Sequence, residues 1–288
     1  MTVLEIIQRS TEFLAKKGVD SPRLQTELLL GHLLGVPRMR LYLDFERLLT
    51  EAELASFREL IVRRGRREPL QHIMGATSFC GLEIAVNGQV LIPRPETELL
   101  AERGWLFLQE RAGPAGGAVK ALDFGTGSGC LAVALAVKCP SAEVVALDIS
   151  AEALDLARQN AGIHGVAGRI QFVQGERLEA VPEDSRFELI ISNPPYIPSQ
   201  DINSLQPEVR DFDPRLALDG GPEGLRFYAE LAAAGARLLK PGGKMMLEIG
   251  DGQENRVREI FGQQNWIVEQ VIADYTQRPR VVIARTNS

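Results

Sequence analysis

From Val119 onward, short apolar runs alternate with segments of helical periodicity. Runs at 119–124, 143–148, 169–173, 187–192, 244–249, 266–272 and 280–285 have the length of strands. Helical patterns fall between them at 128–138, 151–162, 222–239 and 252–263. Alternation at this spacing predicts an α/β fold of βαβ units, with a mostly parallel sheet and helices on both faces. Too few residues separate the last two runs to form a helix, so those strands should pair antiparallel and give the sheet an antiparallel edge.

The first part of the chain reads differently. Val3, Leu4, Ile6, Ile7, Phe13 and Leu14 recur at helical spacing behind Thr2. Ser21-Pro22 has the form of an N-cap followed by proline at the first helical position, ahead of Leu24, Leu28, Leu29 and Leu33. Thr50-Glu51-Ala52-Glu53 matches a capping box. These segments predict a small helical domain over residues 1–67. Glu68-Pro69 breaks the last helix. Gln71–Phe79 and Leu82–Ile92 then read as two strands of a hairpin turning at Cys80-Gly81, with a second tight turn at Asn87-Gly88. Residues 68–93 are thus expected as a β-hairpin linker. Pro95-Glu96-Thr97-Glu98 opens a helix in the domain spanning 94–288.

The composition limits the functional classes. Of 288 residues, 45% are hydrophobic and 24% charged, enough for one large domain and a small one. A net charge of −6 argues against broad nucleic-acid binding, which draws its affinity from phosphate neutralisation, so no stable nucleic-acid partner is expected. Cys80, Cys130 and Cys139 form no CxxC and are odd in number, which suits a reduced cytoplasmic protein. His32, His72 and His164 lie far apart without metal-ligand spacing, so no metal site is expected. No apolar run reaches membrane-spanning length, and Glu5 and Glu12 do not fit a signal peptide.

Two motifs carry chemistry. The first expected strand of the sheet ends in the loop Gly125-Thr126-Gly127-Ser128-Gly129. In an open parallel sheet, ligands sit outside the carboxyl ends of the strands, where the strand order switches. Glycines there let the backbone approach a ligand closely. Asp148 ends the next strand, where a carboxylate can accept both ribose hydroxyls of an adenosine ligand. A dinucleotide fingerprint needs G-x-G-x-x-G, but position 130 is Cys130 and the third glycine comes one place early. That spacing favours S-adenosylmethionine over NAD. A loop of this kind is also compatible with a plain strand–helix turn that binds nothing.

The second motif, Asn193-Pro194-Pro195-Tyr196, follows the apolar run 187–192. A planar amide or aromatic-amine nitrogen is a poor nucleophile because its lone pair is delocalised. Two oxygen acceptors that take its N–H bonds orient it and stabilise the positive charge it develops during methylation. The Asn193 side-chain oxygen and the Pro194 carbonyl can serve as that pair. Proline after Asn193 biases it towards extended backbone and stiffens the turn. Pro194 and Pro195 bring no competing N–H. Tyr196 can stack on a flat substrate group. Alignment and exclusion of water would then do most of the work. In isolation, the same four residues could form an ordinary surface turn.

In combination, these motifs resemble the HemK family of protein-(glutamine-N5) methyltransferases acting on peptide chain release factors. The resemblance covers nearly the whole chain. It rests on Glu68-Pro69-Leu70-Gln71-His72-Ile73-Met74-Gly75, Leu91-Ile92-Pro93-Arg94-Pro95-Glu96-Thr97-Glu98, the glycine loop, Asn-Pro-Pro-Tyr, Phe212-Asp213-Pro214-Arg215-Leu216-Ala217-Leu218 and Glu248-Ile249-Gly250. It implies a Rossmann-like methyltransferase domain using S-adenosylmethionine and a helical domain that docks the protein substrate. It also implies an acceptor glutamine in the Gly-Gly-Gln motif of class I release factors. By the same resemblance, Gly125, Thr126, Gly127, Ser128, Gly129, Asp148 and Asn193 contact the cofactor. Asn193, Pro194, Pro195 and Tyr196 hold the glutamine, with Asn193, Pro194 and Tyr196 as the catalytic group. After the third strand the family usually has an acid followed by a large residue near the adenine. Here Glu176 and Arg177 take those places, a departure from the commoner aspartate and aromatic.

Two other readings compete. An adenine-N6 methyltransferase acting on nucleic acid shares the Asn-Pro-Pro-Tyr turn, and a nucleotide-binding regulatory module would need only the glycine loop. Arg63, Arg64, Arg66 and Arg67 form a basic run suited equally to a solvated helix end or to a role against an acidic partner or ribosomal RNA. Residues 212–224 form an irregular stretch of the kind that covers a site. Arg94, Glu96, Thr97 and Glu98 suit a helix start with first-turn acids, and the resemblance implies a wall of the active site there. Glu248 reads as a polar strand end rather than a catalytic base, and Gln253 as a helix start.

Overall fold

A computed structural model describes residues 1–287. The chain divides into two compact units. One comprises Met1–Ala76 and Gln206–Phe212, the other Thr77–Leu205 and Asp213–Ser288.

The first unit is helical: α1 (Val3–Lys16), α2 (Pro22–Leu34), α3 (Arg38–Leu43), α4 (Glu51–Gly65) and α5 (Leu70–Met74). Its caps follow the sequence at two helices. Thr2 with Glu5, and Thr50 with Glu53, close reciprocal capping boxes at α1 and α4. Ser21 precedes α2 but is left-handed and makes no side-chain cap, so Pro22 alone marks that start. Val3, Ile7, Leu14, Leu29, Leu30, Phe57 and Ile61 form the core.

Residues 68–93 divide differently from the expected hairpin linker. Leu70–Met74 is a helix between Pro69, whose fixed φ suits a helix start, and Gly75, left-handed at φ 79°. Strand β1 therefore spans only Ala76–Phe79, and β2 only Leu82–Ala85. The turn closed by Val90 N–H on the Asn87 carbonyl follows as an irregular segment.

The second unit contains α6 (Pro95–Ala112), β3 (Val119–Phe124), α7 (Cys130–Lys138), β4 (Ala142–Asp148), α8 (Ala151–Ile163), β5 (Ile170–Gln174) and β6 (Phe187–Ser192). After α9 (Pro207–Arg210), which belongs to the helical unit, come α10 (Arg226–Gly235), β7 (Leu239–Glu248), α11 (Glu254–Gln263), β8 (Trp266–Ala273) and β9 (Pro279–Thr286). Strands β3 to β9 form one sheet in the order β5-β4-β3-β6-β7-β9-β8. Pairs from β5 to β7 are parallel, whereas β9 runs antiparallel to both β7 and β8. This is the mostly parallel sheet with an antiparallel edge expected from the sequence. The helix expected at 222–239 is shorter, because Leu239 already pairs with Phe187 as strand.

Two apolar clusters cover the sheet. One holds Leu131, Val133, Leu135, Leu189 and Ile191; the other Leu122, Phe187, Ile190, Tyr228 and Phe261. Burial on both faces explains why β6 is apolar at nearly every position. Its one charge, Glu188, pairs with Lys240 at 2.7 Å and accepts the Lys120 N–H at 2.7 Å. Strand order reverses between β3 and β6, so their carboxyl ends flank the position where such sheets bind ligands. The Ser192 hydroxyl donates to the Phe124 carbonyl at 2.6 Å and ties those two ends together.

Candidate functional site

A crevice of about 1060 Å³, open mouth included, lies at these strand ends. The glycine loop forms one wall. Gly125 and Thr126 N–H both reach the Leu147 carbonyl, at 2.8 and 3.0 Å, which folds the loop over the end of β4. Gly129, at φ 77°, lies so close to α8 that a Cβ would come 2.8 Å from the Ala157 Cβ. Gly125 and Gly127 also have positive φ, and open space lies where their Cβ atoms would be. The loop thus packs tightly at its helix end and presents bare backbone elsewhere.

Asp148 organises the same wall. Its carboxylate accepts Gly127 N–H at 2.8 Å and Ser150 N–H at 2.9 Å. Burial raises its pKa, while these N–H donors oppose the shift. Each oxygen keeps a further lone pair for a ligand. Behind the loop, Asp123 is fully buried and accepts from the Thr126 hydroxyl at 2.6 Å and Ala132 N–H at 3.1 Å. Desolvation pushes it up to about 7, and its second oxygen has no partner. Cys130 lines the crevice, but burial pushes its thiol well above the usual range, against a nucleophilic role.

The Asn193 turn faces the loop across the crevice. The Asn193 Nδ2 donates to Thr97 Oγ1 at 3.1 Å, and Thr97 donates to Glu248 Oε2 at 2.6 Å. Asn193 Oδ1 is shielded from solvent and has no partner. Glu248 is 1% exposed, and burial pushes it up to about 7, with the Thr97 hydrogen bond and Arg280 opposing. The Tyr196 hydroxyl points to Glu248 Oε1 at 3.4 Å. Burial first, then the nearby Glu248, raises the pKa of that hydroxyl.

Gln253 holds the turn from beneath. Its Nε2 donates to the carbonyls of Tyr196 and Gly224, at 2.9 and 3.2 Å, and its Oε1 accepts from Gly250 N–H and the Tyr228 hydroxyl. Residues 213–225 cover the same turn. Ile197 N–H bonds the Leu218 carbonyl, and Gly220 N–H bonds the Ile197 carbonyl. A Cβ on Gly224, at φ 71°, would sit 2.2 Å from the Tyr196 carbonyl oxygen, so only glycine allows this approach. Arg94, from the start of α6, clasps Asp213 at 2.5 Å. Pro214, Leu216 and Ala217 reach the crevice wall.

The residues singled out from sequence are distributed unevenly. Gly125, Thr126, Gly127, Ser128, Asp148, Glu176, Asn193 and Pro195 line the crevice. Gly129 serves the packing of the loop on α8, and Pro194 is buried in the turn. Tyr196 packs against the sheet cluster with its hydroxyl on Glu248, beside the crevice-lining Asn193 and Pro195. Arg177, the next residue after Glu176, lines a different depression with Leu178 and Glu230. Sequence reading gave Glu248 and Gln253 only structural places and named no partner for Thr97. The Arg63–Arg67 run is largely paired within the helical unit: Arg63 with Glu68, Arg64 and Arg67 with Glu208 at 2.6 Å.

Chemically, the crevice offers bare loop backbone, a carboxylate at a strand end, an apolar floor including Phe124, Leu131 and Phe227, and an amide oxygen without a partner. Among the described residues that line it, there is no exposed thiol or imidazole to act as a nucleophile.

Known proteins resemble this chain in both units. Residues 5–75 match the family model described as PrmC N-terminal domain, and residues 106–207 match methyltransferase small domain. A methyltransferase from Pyrococcus furiosus shares the fold at a TM-score of 0.54 and 22% identity, covering 78% of this chain and 98% of that one. A release factor glutamine methyltransferase of Geobacter sulfurreducens is 45% identical over 91% of this chain and 89% of its own length. Another, from Chlorobaculum tepidum, is 43% identical over 97% of this chain and 95% of its own. With this identity sustained over both units, the chain belongs to the release factor glutamine methyltransferase family.

Proposed function

We propose that this protein transfers a methyl group from S-adenosylmethionine to the side-chain amide nitrogen (N5) of the glutamine in the Gly-Gly-Gln motif of class I peptide chain release factors. The observation that carries the reading is the shielded, unpartnered Oδ1 of Asn193, a residue that lines the same crevice as the glycine loop.

The residues present fit the cofactor. Gly125 and Gly127 leave space where side chains would stand, and the Asp148 carboxylate retains lone pairs for ribose hydroxyls. Glu176 also lines the crevice, and we assign it to the nucleoside end of the cofactor by the family resemblance. When bound, S-adenosylmethionine supplies an electrophilic methyl group on a sulfonium. The protein's part is to orient the acceptor. Asn193 Oδ1 takes one amide N–H and the Pro194 carbonyl the other, which turns the nitrogen lone pair towards the crevice. The same two oxygens stabilise the positive charge growing on nitrogen. Residues 213–225 shield the pair from water. No strong base is required, since the proton leaves after the methyl arrives.

The helical unit, which exposes Met39, Leu43 and Leu48, is read as the docking surface for the release factor. Free Cys80, Cys130 and Cys139 fit a cytoplasmic enzyme. No helix among the described residues is long and apolar enough to cross a membrane. An adenine-N6 activity on nucleic acid is disfavoured by the net charge of −6 and by the capture of Arg63, Arg64 and Arg67 in internal ion pairs.

Incubation with methyl-labelled S-adenosylmethionine and either a release factor or nucleic acid tests the reading. Label in the release factor is expected; label in nucleic acid alone would overturn it.

A further inference from the structure

We propose that Thr97 and Glu248 are positioning residues that fix the flip of the Asn193 amide, so that its carbonyl oxygen and not its NH₂ faces the substrate nitrogen. The proposal rests on Asn193 being an acceptor for the substrate amide, as argued above.

The two ends of an asparagine amide have almost the same shape. Only hydrogen bonding decides which end points where. An amide presented backwards would set two donors, the Asn193 NH₂ and the substrate NH₂, against each other. The chain of contacts prevents this. An ionised Glu248 only accepts, so the single Thr97 hydroxyl proton goes to it, across the short 2.6 Å contact. Thr97 Oγ1 is then left as an acceptor. It faces Asn193 at 3.1 Å and selects Nδ2. Oδ1 is left over, shielded and unpaired. A single proton direction set at β7 is thus transmitted through α6 to the turn after β6.

Protonating Glu248 removes the constraint. A carboxylic acid can donate to Thr97 Oγ1, which frees the Thr97 proton for Asn193 Oδ1 and turns NH₂ outward. Burial pushes Glu248 up to about 7, which places this exchange near neutral pH. Other groups face the carboxylate. The Tyr196 hydroxyl lies at Oε1, and Arg280 on β9 favours the ionised form. Glu96 on α6 opposes ionisation. Tyr228 turns its hydroxyl to the Glu248 backbone carbonyl and to Gln253, away from the carboxylate. Arg280 is itself held by Asp274 and the Ile249 carbonyl. Among these, Thr97 is the group that bridges Glu248 to Asn193.

The test combines a substrate-free readout with kinetics. The side-chain NH₂ resonance of Asn193, assigned by its loss in Asn193→Ala, is followed by NMR from pH 5.5 to 8.5 in the full-length protein. The wild-type resonance is expected to shift through one midpoint. In Glu248→Gln it should not titrate. Thr97→Val, which keeps shape and removes the hydroxyl, should lower kcat for release-factor methylation by about 10–100-fold. Calorimetric affinity for S-adenosylmethionine should change less than twofold, and Thr97→Ser should recover most of the loss. The kcat–pH profile should fall on its acid side in the wild type and lose that limb in Glu248→Gln. A wild-type resonance that ignores pH, or a Thr97→Val enzyme within twofold of wild-type kcat, would overturn the proposal. Absence of glutamine methylation by the wild type would instead defeat the proposed function, and the NMR titration would still decide the relay.

Discussion

Replacing Gln253 by methionine keeps the side chain's length and removes its hydrogen bonds. Four groups touch that amide in the native fold: the carbonyls of Tyr196 and Gly224, Gly250 N–H and the Tyr228 hydroxyl. Tyr228 keeps a second partner in the Glu248 carbonyl at 3.1 Å, so three bonds are lost outright. At a net of about 1 kcal/mol each, the substitution should cost about 3 kcal/mol. Both tryptophans, Trp105 and Trp266, lie in the sheet-bearing unit, so their fluorescence follows its unfolding in urea. With an m-value of about 2 kcal/mol/M, the midpoint should fall by about 1.5 M. Two of the lost bonds restrain the backbone of the Asn193 turn and its covering loop, so kcat should fall more than affinity for S-adenosylmethionine. A midpoint within 0.3 M of wild type (about 0.6 kcal/mol), together with unchanged kcat, would refute the view that Gln253 holds the turn.

Glu208→Ala should destabilise the helical unit by about 2–4 kcal/mol, because it removes the carboxylate facing Arg64, which is only 3% exposed and keeps only the neutral acceptors of Gln25 and the Glu68 carbonyl; hydrogen exchange of α1 and α4 amides measures this. Stability of the sheet-bearing unit should fall as pH rises from about 5 to 7.5. Burial raises Asp123 and Glu248 to about 7, and Asp213 to about 6, so the folded state binds more protons than the unfolded chain across this window. Urea midpoints at pH 5.5 and 7.5, read by tryptophan fluorescence, check that sign, and a higher midpoint at pH 7.5 would contradict it.

The sheet was legible because local periodicity and burial agree there. Strands covered on both faces are mostly apolar, and 119–124 and 187–192 carry that mark despite Lys120, Asp123 and Glu188. Residues 70–79 lacked it. Leu70, Ile73 and Met74 suit a helix as well as a strand, and Pro69 with Gly75 decided for the helix. The glycine loop and the Asn193 turn were readable as motifs, since their chemistry depends on backbone geometry that few residues permit. Their support was not. Thr97 and Glu248 lie 151 positions apart, and the Arg64–Glu208 pair spans 144. No local pattern reports contacts at such separations. Tyr196 is an example: its type suggests stacking, and its packing against the sheet cluster with its hydroxyl on Glu248 could not be read from the motif.

The central claim is that Asn193 presents an oxygen acceptor to a glutamine side-chain amide. Tandem mass spectrometry of a release factor's Gly-Gly-Gln peptide, after reaction with the wild type and with Asn193→Ala, tests it most directly. One added methyl on the glutamine side-chain nitrogen is expected with the wild type and none with the variant, while the variant still binds S-adenosylmethionine. An unmodified glutamine with the wild type, or equal methylation by both proteins, would contradict it.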